Sequence, residues 1–236
     1  MKLNDVDAYR TTTEVAVISD LLDPRGKQIL ELGCGAAGAT RTLATDLAAA
    51  HVVATEVDRI QLEKNLEITD LPNVTFRFGG AEAIEDADET YDAVFMFKSL
   101  HHVPTDLMAQ GLGEIRRVLK PDGLAYFSEP VYWGPFNDLL RMFNDEREVR
   151  EAAFAALTDA VGSGRFTLEA EVFFEVEDTY TSWEDFETRL LKVTHTVLDI
   201  DPARHEQIRQ AFLRHLTPGG AYFLKPHRVD LLRKAA

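Results

Sequence analysis

A chain of 236 residues with 45% hydrophobic and 28% charged side chains can bury one sizeable core, and its composition excludes wholesale disorder. The formal net charge of −15 opposes a polyanionic partner, which argues against nucleic-acid substrates. The single cysteine, Cys34, excludes an intrachain disulfide; with no legible signal peptide or membrane-spanning run, a cytoplasmic protein with no membrane partner is expected.

In chain order, Thr11-x-x-Glu14 has the form of a capping box. It predicts a helix with Val15, Ile18, Leu21 and Leu22 on one face, ended by Asp23-Pro24-Arg25-Gly26. The apolar run Gln28–Leu32 reads as a buried strand, followed by glycines at 33, 35 and 38 and a helix predicted over 40–50. His51–Glu56 reads as the second strand. Asp58 opens a helix carrying Leu62 and Leu66, and Val74–Phe78 is the third strand. Tyr91–Phe97 is apolar almost throughout, as a parallel strand buried on both faces should be. A helix over 106–119, a Pro/Gly turn at 119–123 and a fifth strand over 124–128 follow. Two prolines and a glycine in 129–135 mark a loop, and the helical spacing over 136–161 predicts an inserted helical lid spanning 131–161. A late strand is expected over 168–176. Thr181-x-x-Glu184 predicts a helix whose face carries Phe186, Leu190, Val193 and Val197, with His195 mid-helix as a structural residue. A helix over 202–216 and a last strand over 221–232, broken near Pro226, complete an α/β chain read as one domain, 1–236.

The chemistry concentrates in Gly33-x-Gly35-x-x-Gly38. Glycines after a strand allow a tight turn, let a ligand approach bare backbone, and lead into a helix whose free N–H groups face that ligand. The spacing fits a dinucleotide, with Glu56 at the end of the next strand where a ribose diol would be held. It also fits a second kind of cofactor. Glu31, two residues before the first glycine, would repel a dinucleotide phosphate and suits an ammonium or sulfonium group.

Glu31-Leu32-Gly33-Cys34-Gly35 resembles the first motif of the class I S-adenosylmethionine-dependent methyltransferases, and residues 117–123 resemble the family's segment before the fifth strand. The resemblance covers about half of the chain, residues 10–130. It implies a Rossmann-like, doubly wound, mostly parallel sheet with an antiparallel last strand. S-adenosylmethionine would be the cofactor and S-adenosylhomocysteine its product. The implied cofactor contacts are Glu31, Gly33, Cys34, Gly35, Gly38, Glu56, Val57, Ala81, Glu82 and Phe97, with Arg10 on an N-terminal segment as partner for the methionine carboxylate. Two positions depart from the family: Ala37 stands where it has a further glycine, and Gly80 where it often has the aspartate that receives the adenine amino group. Ala81 backbone groups or Glu82 are then the candidates for that contact.

On the acceptor side, the strand ending at Phe97 delivers Lys98, His101 and His102 to the carboxyl edge of the sheet, where ligands bind in open α/β folds. His102 and His101 are the candidate bases, although one of them could simply pack beside Pro104. Lys98 could pair with an acidic substrate or with Glu129. Glu129, Tyr132 and Trp133 could hold a cationic group or a ring face, and Arg141 is a second anion partner. No Asp/Asn-Pro-Pro-aromatic motif follows the fourth strand, so nucleic-acid amino methylation is set aside. Only Glu129 qualifies as a strand-end acidic ligand and no His-Glu-x-x-His is present, so no metal is expected. The resulting expectation is methyl transfer to a small molecule, with a small acid favoured by Lys98 and Arg141, by a monomer or homodimer. The alternatives are a NAD-dependent oxidoreductase and a non-catalytic S-adenosylmethionine-binding module.

Overall fold

The apolar runs become strands for the reason their sequence suggests: they are buried on both faces of a sheet. The computed structural model describes residues 1–192 and 198–235. Its elements are β1 (Arg10–Thr11), α1 (Glu14–Leu21), β2 (Gln28–Leu32), α2 (Gly38–Ala44), β3 (His51–Glu56), α3 (Arg59–Leu66), β4 (Val74–Phe78) and β5 (Tyr91–Phe97). Then come a 3-10 turn at Leu100–His102, α4 (Met108–Val118), β6 (Leu119–Pro130), α5 (Gly134–Leu140), α6 (Arg147–Gly162), β7 (Phe166–Tyr180), α7 (Trp183–Leu190), α8 (Pro202–Leu213), β8 (Leu216–Thr217) and β9 (Gly220–Lys234). The sheet order is β1-β7-β9-β6-β5-β2-β3-β4. Pairings are parallel except those of β9, which runs antiparallel to β6, β7 and β8. The chain winds from β2 outward to β4 and returns on the other side of β2 at β5. The crevice for a ligand therefore lies at the carboxyl ends of β2 and β5.

Two apolar layers cover the sheet. One joins α4 and α6 to it through Leu112, Ile115, Val118, Ala153, Leu157 and Ala160; the other uses Val17, Ile18, Leu43 and Ala44 of α1 and α2. A third cluster holds α5, α7 and α8 against the far ends of β7 and β9 through Leu139, Tyr180, Phe186, Ile208, Phe212 and Phe223.

Several expectations need correction. The 131–161 insertion is not one lid. Ala153, Leu157 and Ala160 of α6 are buried in the layer that covers the sheet, where the two alanines let the helix lie close and Leu157 fills the core, and only α5 belongs to the separate cluster. The cap of α1 is Thr13, which accepts the Ala16 N–H; Glu14 is drawn away to accept from the Tyr126 and Ser128 hydroxyls. In α7 the cap is Ser182, whose hydroxyl accepts the Asp185 N–H while Asp185 answers the Thr181 N–H, so the box sits one residue later than its first reading. α2 begins at Gly38 and ends at Ala44. β6 already starts at Leu119, and β9 runs unbroken through Pro226, whose carbonyl accepts the Val131 N–H. Val193, His195 and Val197 lie outside the described residues.

Candidate functional site

The turn after β2 is built by backbone that only small residues tolerate. Gly33 and Gly35 have φ of +73° and +51°. The Gly33 and Cys34 N–H groups both donate to the Thr55 carbonyl, which ties the turn to β3. A Cβ on Gly33 would lie 2.8 Å from the Ser99 Cβ, so the two strand ends touch there, with the Ser99 hydroxyl donating to the Leu32 carbonyl. A Cβ on Gly35 or Gly38 would meet nothing within 4 Å; this side of the turn is open. Ala37, ahead of α2, has φ +61° and is buried. A methyl group is tolerated in that left-handed backbone, but a β-branched side chain is not. Ala37→Val is expected to lower stability by about 2 kcal/mol or more. Ala37→Gly should stay within about 1 kcal/mol of the parent, strain relief offsetting the lost buried methyl. Urea unfolding of the two variants checks this, and equal stability of both would refute it.

Two acids face this turn differently. Glu56 is fixed by backbone donors: its carboxylate accepts the N–H groups of Gly35 at 2.7 Å on Oε2 and of Val57 at 2.8 Å and Asp58 at 2.9 Å on Oε1, which leaves a lone pair on Oε2. Glu31 is 1% exposed, and among the described residues neither its Oε2 nor the buried Thr40 hydroxyl close to it has a hydrogen-bond partner of good geometry. Burial pushes the Glu31 carboxyl up to about 7. A buried acceptor without a donor is uncommon because it forfeits its hydration, and it marks a place for a ligand group that donates. Beyond β4, the Glu82 carboxylate lies over Gly80, where a Cβ would be 2.6 Å from its Oε1. Glu82 thus fills the space an aspartate at position 80 would need. Val57 and Phe78 are exposed nearby, the latter beneath the Arg59 guanidinium.

At the end of β5 the backbone is again strained, with Lys98 at φ +54°. Its side chain is exposed and makes no ion pair or hydrogen bond among the described residues. Lys98 and Phe97 line a cavity of about 230 Å³ with Glu14, Val15, Ile18 and Gly38. A wider groove of about 520 Å³ lies at the other end of the sheet, by Arg116, Asp122 and Lys234, away from these strand ends. His101 is 4% exposed and its Nδ1 bonds the buried Glu129 carboxylate, which also accepts the Leu100 N–H. Burial works to raise the Glu129 carboxyl, but His101, the Leu100 N–H and Arg228 outweigh it and hold it below its ordinary value. The exposed His102 ring lies 4.1 Å from that of His101. Behind them, burial and the charges of Lys98, Lys225 and Arg150 push the His227 imidazole down to about 3 and keep it neutral.

The arrangement matches a known domain. Residues 29–123 match a family model described as a methyltransferase domain. The chain is 31% identical over 148 residues to the phthiotriol/phenolphthiotriol dimycocerosates methyltransferase of Mycobacterium tuberculosis, covering 63% of this chain and 47% of that protein. It superposes on the YcgJ protein of Bacillus subtilis with a TM-score of 0.66 at 16% identity, over 94% of this chain and 98% of that one. It also superposes on an S-adenosylmethionine-dependent methyltransferase of Methanosarcina mazei, with a TM-score of 0.57 at 14% identity, over 96% and 99% of the two chains. Residues 29–123 are thus similar to a methyltransferase domain, and the chain has the class I methyltransferase fold. This chain spans less than half the length of the M. tuberculosis relative, 47%.

Within this methyltransferase fold, Glu31, Gly33, Gly35, Gly38, Glu56 and Val57 gather around one turn, with Phe97 and Lys98 at the neighbouring strand end. Others are placed elsewhere. Arg10 lies on the edge strand β1 and pairs with Asp20, because β1 joins the far side of the sheet through β7. Glu129 is consumed by His101 and Leu100, so it holds no exposed cationic group and does not pair with Lys98. Burial raises the Cys34 thiol, which accepts from the Asn65 amide, so it is inert. Arg141 is a surface residue paired with Asp138, Trp133 is 49% exposed, and the Tyr132 ring lies under the Arg147 guanidinium. Glu14, Glu146, Arg150 and His227 carry no signal in the sequence that marks them as site residues. Glu14 masqueraded as a capping residue, and nothing local marks the others, since they arrive from α5–α6 and β9.

Proposed function

We propose that this chain transfers a methyl group from S-adenosylmethionine to a small anionic acceptor. The observation that carries this is Glu31: a buried carboxylate with an orphaned oxygen beside an open glycine turn, suited to an ammonium donor and hostile to a phosphate. When bound, S-adenosylmethionine supplies an electrophilic methyl group on a sulfonium. The chain's own residues have to align the partners and exclude water. Glu31 receives the ammonium, Gly35 leaves room for the ligand to approach, Glu56 presents its carboxylate to the ribose diol, and Glu82 stands in for the absent aspartate at the adenine. Lys98, a cation on strained backbone with no ion pair among the described residues, draws in the acceptor's carboxylate or phosphate, and His102 follows it on the same strand end. His101 is a positioning residue, because its Nδ1 is committed to Glu129.

Calorimetric titration with S-adenosylhomocysteine, and with NAD in parallel, tests the cofactor. The first is expected to bind and the second not. An ammonium favours ionised Glu31, so binding near pH 6.5 should release a proton. With the free carboxyl at about 7, affinity at pH 6 should be about tenfold weaker than at pH 8. In the unliganded protein the sign is opposite. The folded state holds this proton more tightly than the unfolded chain, so the stability contributed by Glu31 is full below the ordinary carboxylate range and lost as pH rises through 7. Glu31→Gln should flatten the binding profile. NAD binding, or a wild-type profile as flat as that of Glu31→Gln, would overturn the assignment. Methylation of amines but not of acids would overturn the acceptor class.

A further inference from the structure

The acceptor side contains a grouping that spacing along the chain does not reveal. One nitrogen of His101, one of His102 and one carboxylate oxygen of Glu146 all lie within 4.8 Å of one another. The histidines come from the 3-10 turn after β5, and Glu146 precedes α6, which packs against that turn. We propose that His101, His102 and Glu146 form a binding site for a divalent transition-metal ion such as zinc or cobalt.

Three features of the surroundings support it. The first is the orientation of His101. Its Nδ1 is bonded to the buried Glu129, so Nε2 is the nitrogen presented to a ligand. A carboxylate behind a metal-binding imidazole is the recurrent arrangement that fixes the ring and raises its basicity. The second is Glu146. Its Oε1 accepts from the Asn144 amide at 2.8 Å and its Oε2 from Arg150 Nε at 3.1 Å and from Nη2. The Arg150–Glu146 pair is largely buried, with side chains 9% and 14% exposed, so the carboxylate is held in place. Oε1, with one donor, keeps a lone pair for a cation. The third is the donor set. Two imidazoles and one carboxylate suit borderline divalent metals rather than magnesium or calcium, which prefer all-oxygen shells. With metal–ligand bonds of about 2.0–2.2 Å, tetrahedral donors sit about 3.5 Å apart, so the exposed His102 needs to close on the other two by about 1 Å. Three protein ligands leave an open position, as in catalytic rather than structural sites. If the methyl-transfer reading holds, that position would take an oxygen of the acceptor, making the substrate class a metal-chelating hydroxy acid. The ion-binding proposal itself does not depend on that reading.

The test is a Co(II) titration of the tag-free, metal-stripped full chain, followed by the visible absorption of cobalt and by calorimetry. One Co(II) per chain is expected, displaced by Zn(II). Glu146→Gln and His102→Ala should each weaken binding at least tenfold. Glu129→Gln, acting through His101, should weaken it about ten- to hundredfold. Circular dichroism shows which variants fold, and His102→Ala, at an exposed position, serves if Glu146→Gln does not. Binding that is absent, or unchanged in both of those variants, would overturn the site. Binding of S-adenosylhomocysteine by the same samples keeps the outcomes distinct: a chain that binds it but no cobalt refutes only the metal site, and the reverse refutes only the cofactor assignment.

Discussion

Gly33→Ala is expected to lose about 2–4 kcal/mol of stability and to bind S-adenosylhomocysteine poorly even where it folds. Two independent penalties add at this residue. The backbone is left-handed, with φ +73°, which an alanine adopts only at about 1–2 kcal/mol. The new methyl would also stand 2.8 Å from the Ser99 Cβ and 3.3 Å from its Oγ, atoms of the adjoining strand end rather than the tip of a flexible chain. Relief requires β2 and β5 to part at the crevice, and the hydrogen bond from Ser99 to the Leu32 carbonyl resists that movement. Gly35→Ala is the informative contrast. Its φ of +51° carries the backbone penalty, but its Cβ meets nothing within 4 Å. It should therefore lose only about 1–2 kcal/mol while still obstructing the ligand. Urea denaturation with calorimetry separates the two. Equal stability losses would show that contact with Ser99 has no part in the effect.

His101→Ala should be the most damaging single change at the acceptor side, lowering stability by about 3–5 kcal/mol near pH 8. The variant leaves the Glu129 carboxylate, 4% exposed, with the Leu100 N–H but without its imidazole partner. An uncompensated buried charge is far more costly than the loss of a hydrogen bond between neutral groups. The pH dependence gives the sign. In the parent the Glu129 carboxyl is held below its ordinary value of 4.5, so its contribution is present above that value and disappears as pH falls through the lower folded one. In the variant, burial dominates and raises the carboxyl, so mild acid neutralises the orphaned charge and the difference from the parent shrinks. Thermal melts at pH 5 and pH 8 measure this. A deficit that is the same at both would mean that Glu129 is not the source. Glu129→Gln in the His101→Ala background should restore part of the loss at pH 8.

Several features were legible because they depend on neighbours in the chain. The strands His51–Glu56 and Tyr91–Phe97 have the bounds their apolar runs suggest, since a strand buried on both faces needs continuous hydrophobicity, and the edge strand Val74–Phe78 keeps its bounds with an alternating pattern. The glycine turn was legible because its φ values demand those residues, and Glu31 because it stands two residues ahead of them. What misled was local pattern with two meanings. Thr11-x-x-Glu14 fits a capping box, but the cap is Thr13, and Glu14 reaches the hydroxyls of Tyr126 and Ser128, more than a hundred residues away. The alanines over 152–160 fit an exposed lid as well as a helix pressed on a sheet, and periodicity does not say what a helix faces.

Local sequence was enough for the mostly parallel α/β plan, the glycine turn with Glu31 and Glu56, and the strand end that bears Lys98, His101 and His102. Each is set by short-range backbone geometry or by burial along one segment. What those side chains meet depends on how the elements pack. That packing gave Glu129 to His101, carried Arg10 to the far edge beside Asp20, laid the Glu82 carboxylate over Gly80, and brought Glu146 to the two histidines. These pairings join distant segments, and their partners follow from the order of strands in the sheet and the packing of α6, which no local spacing encodes.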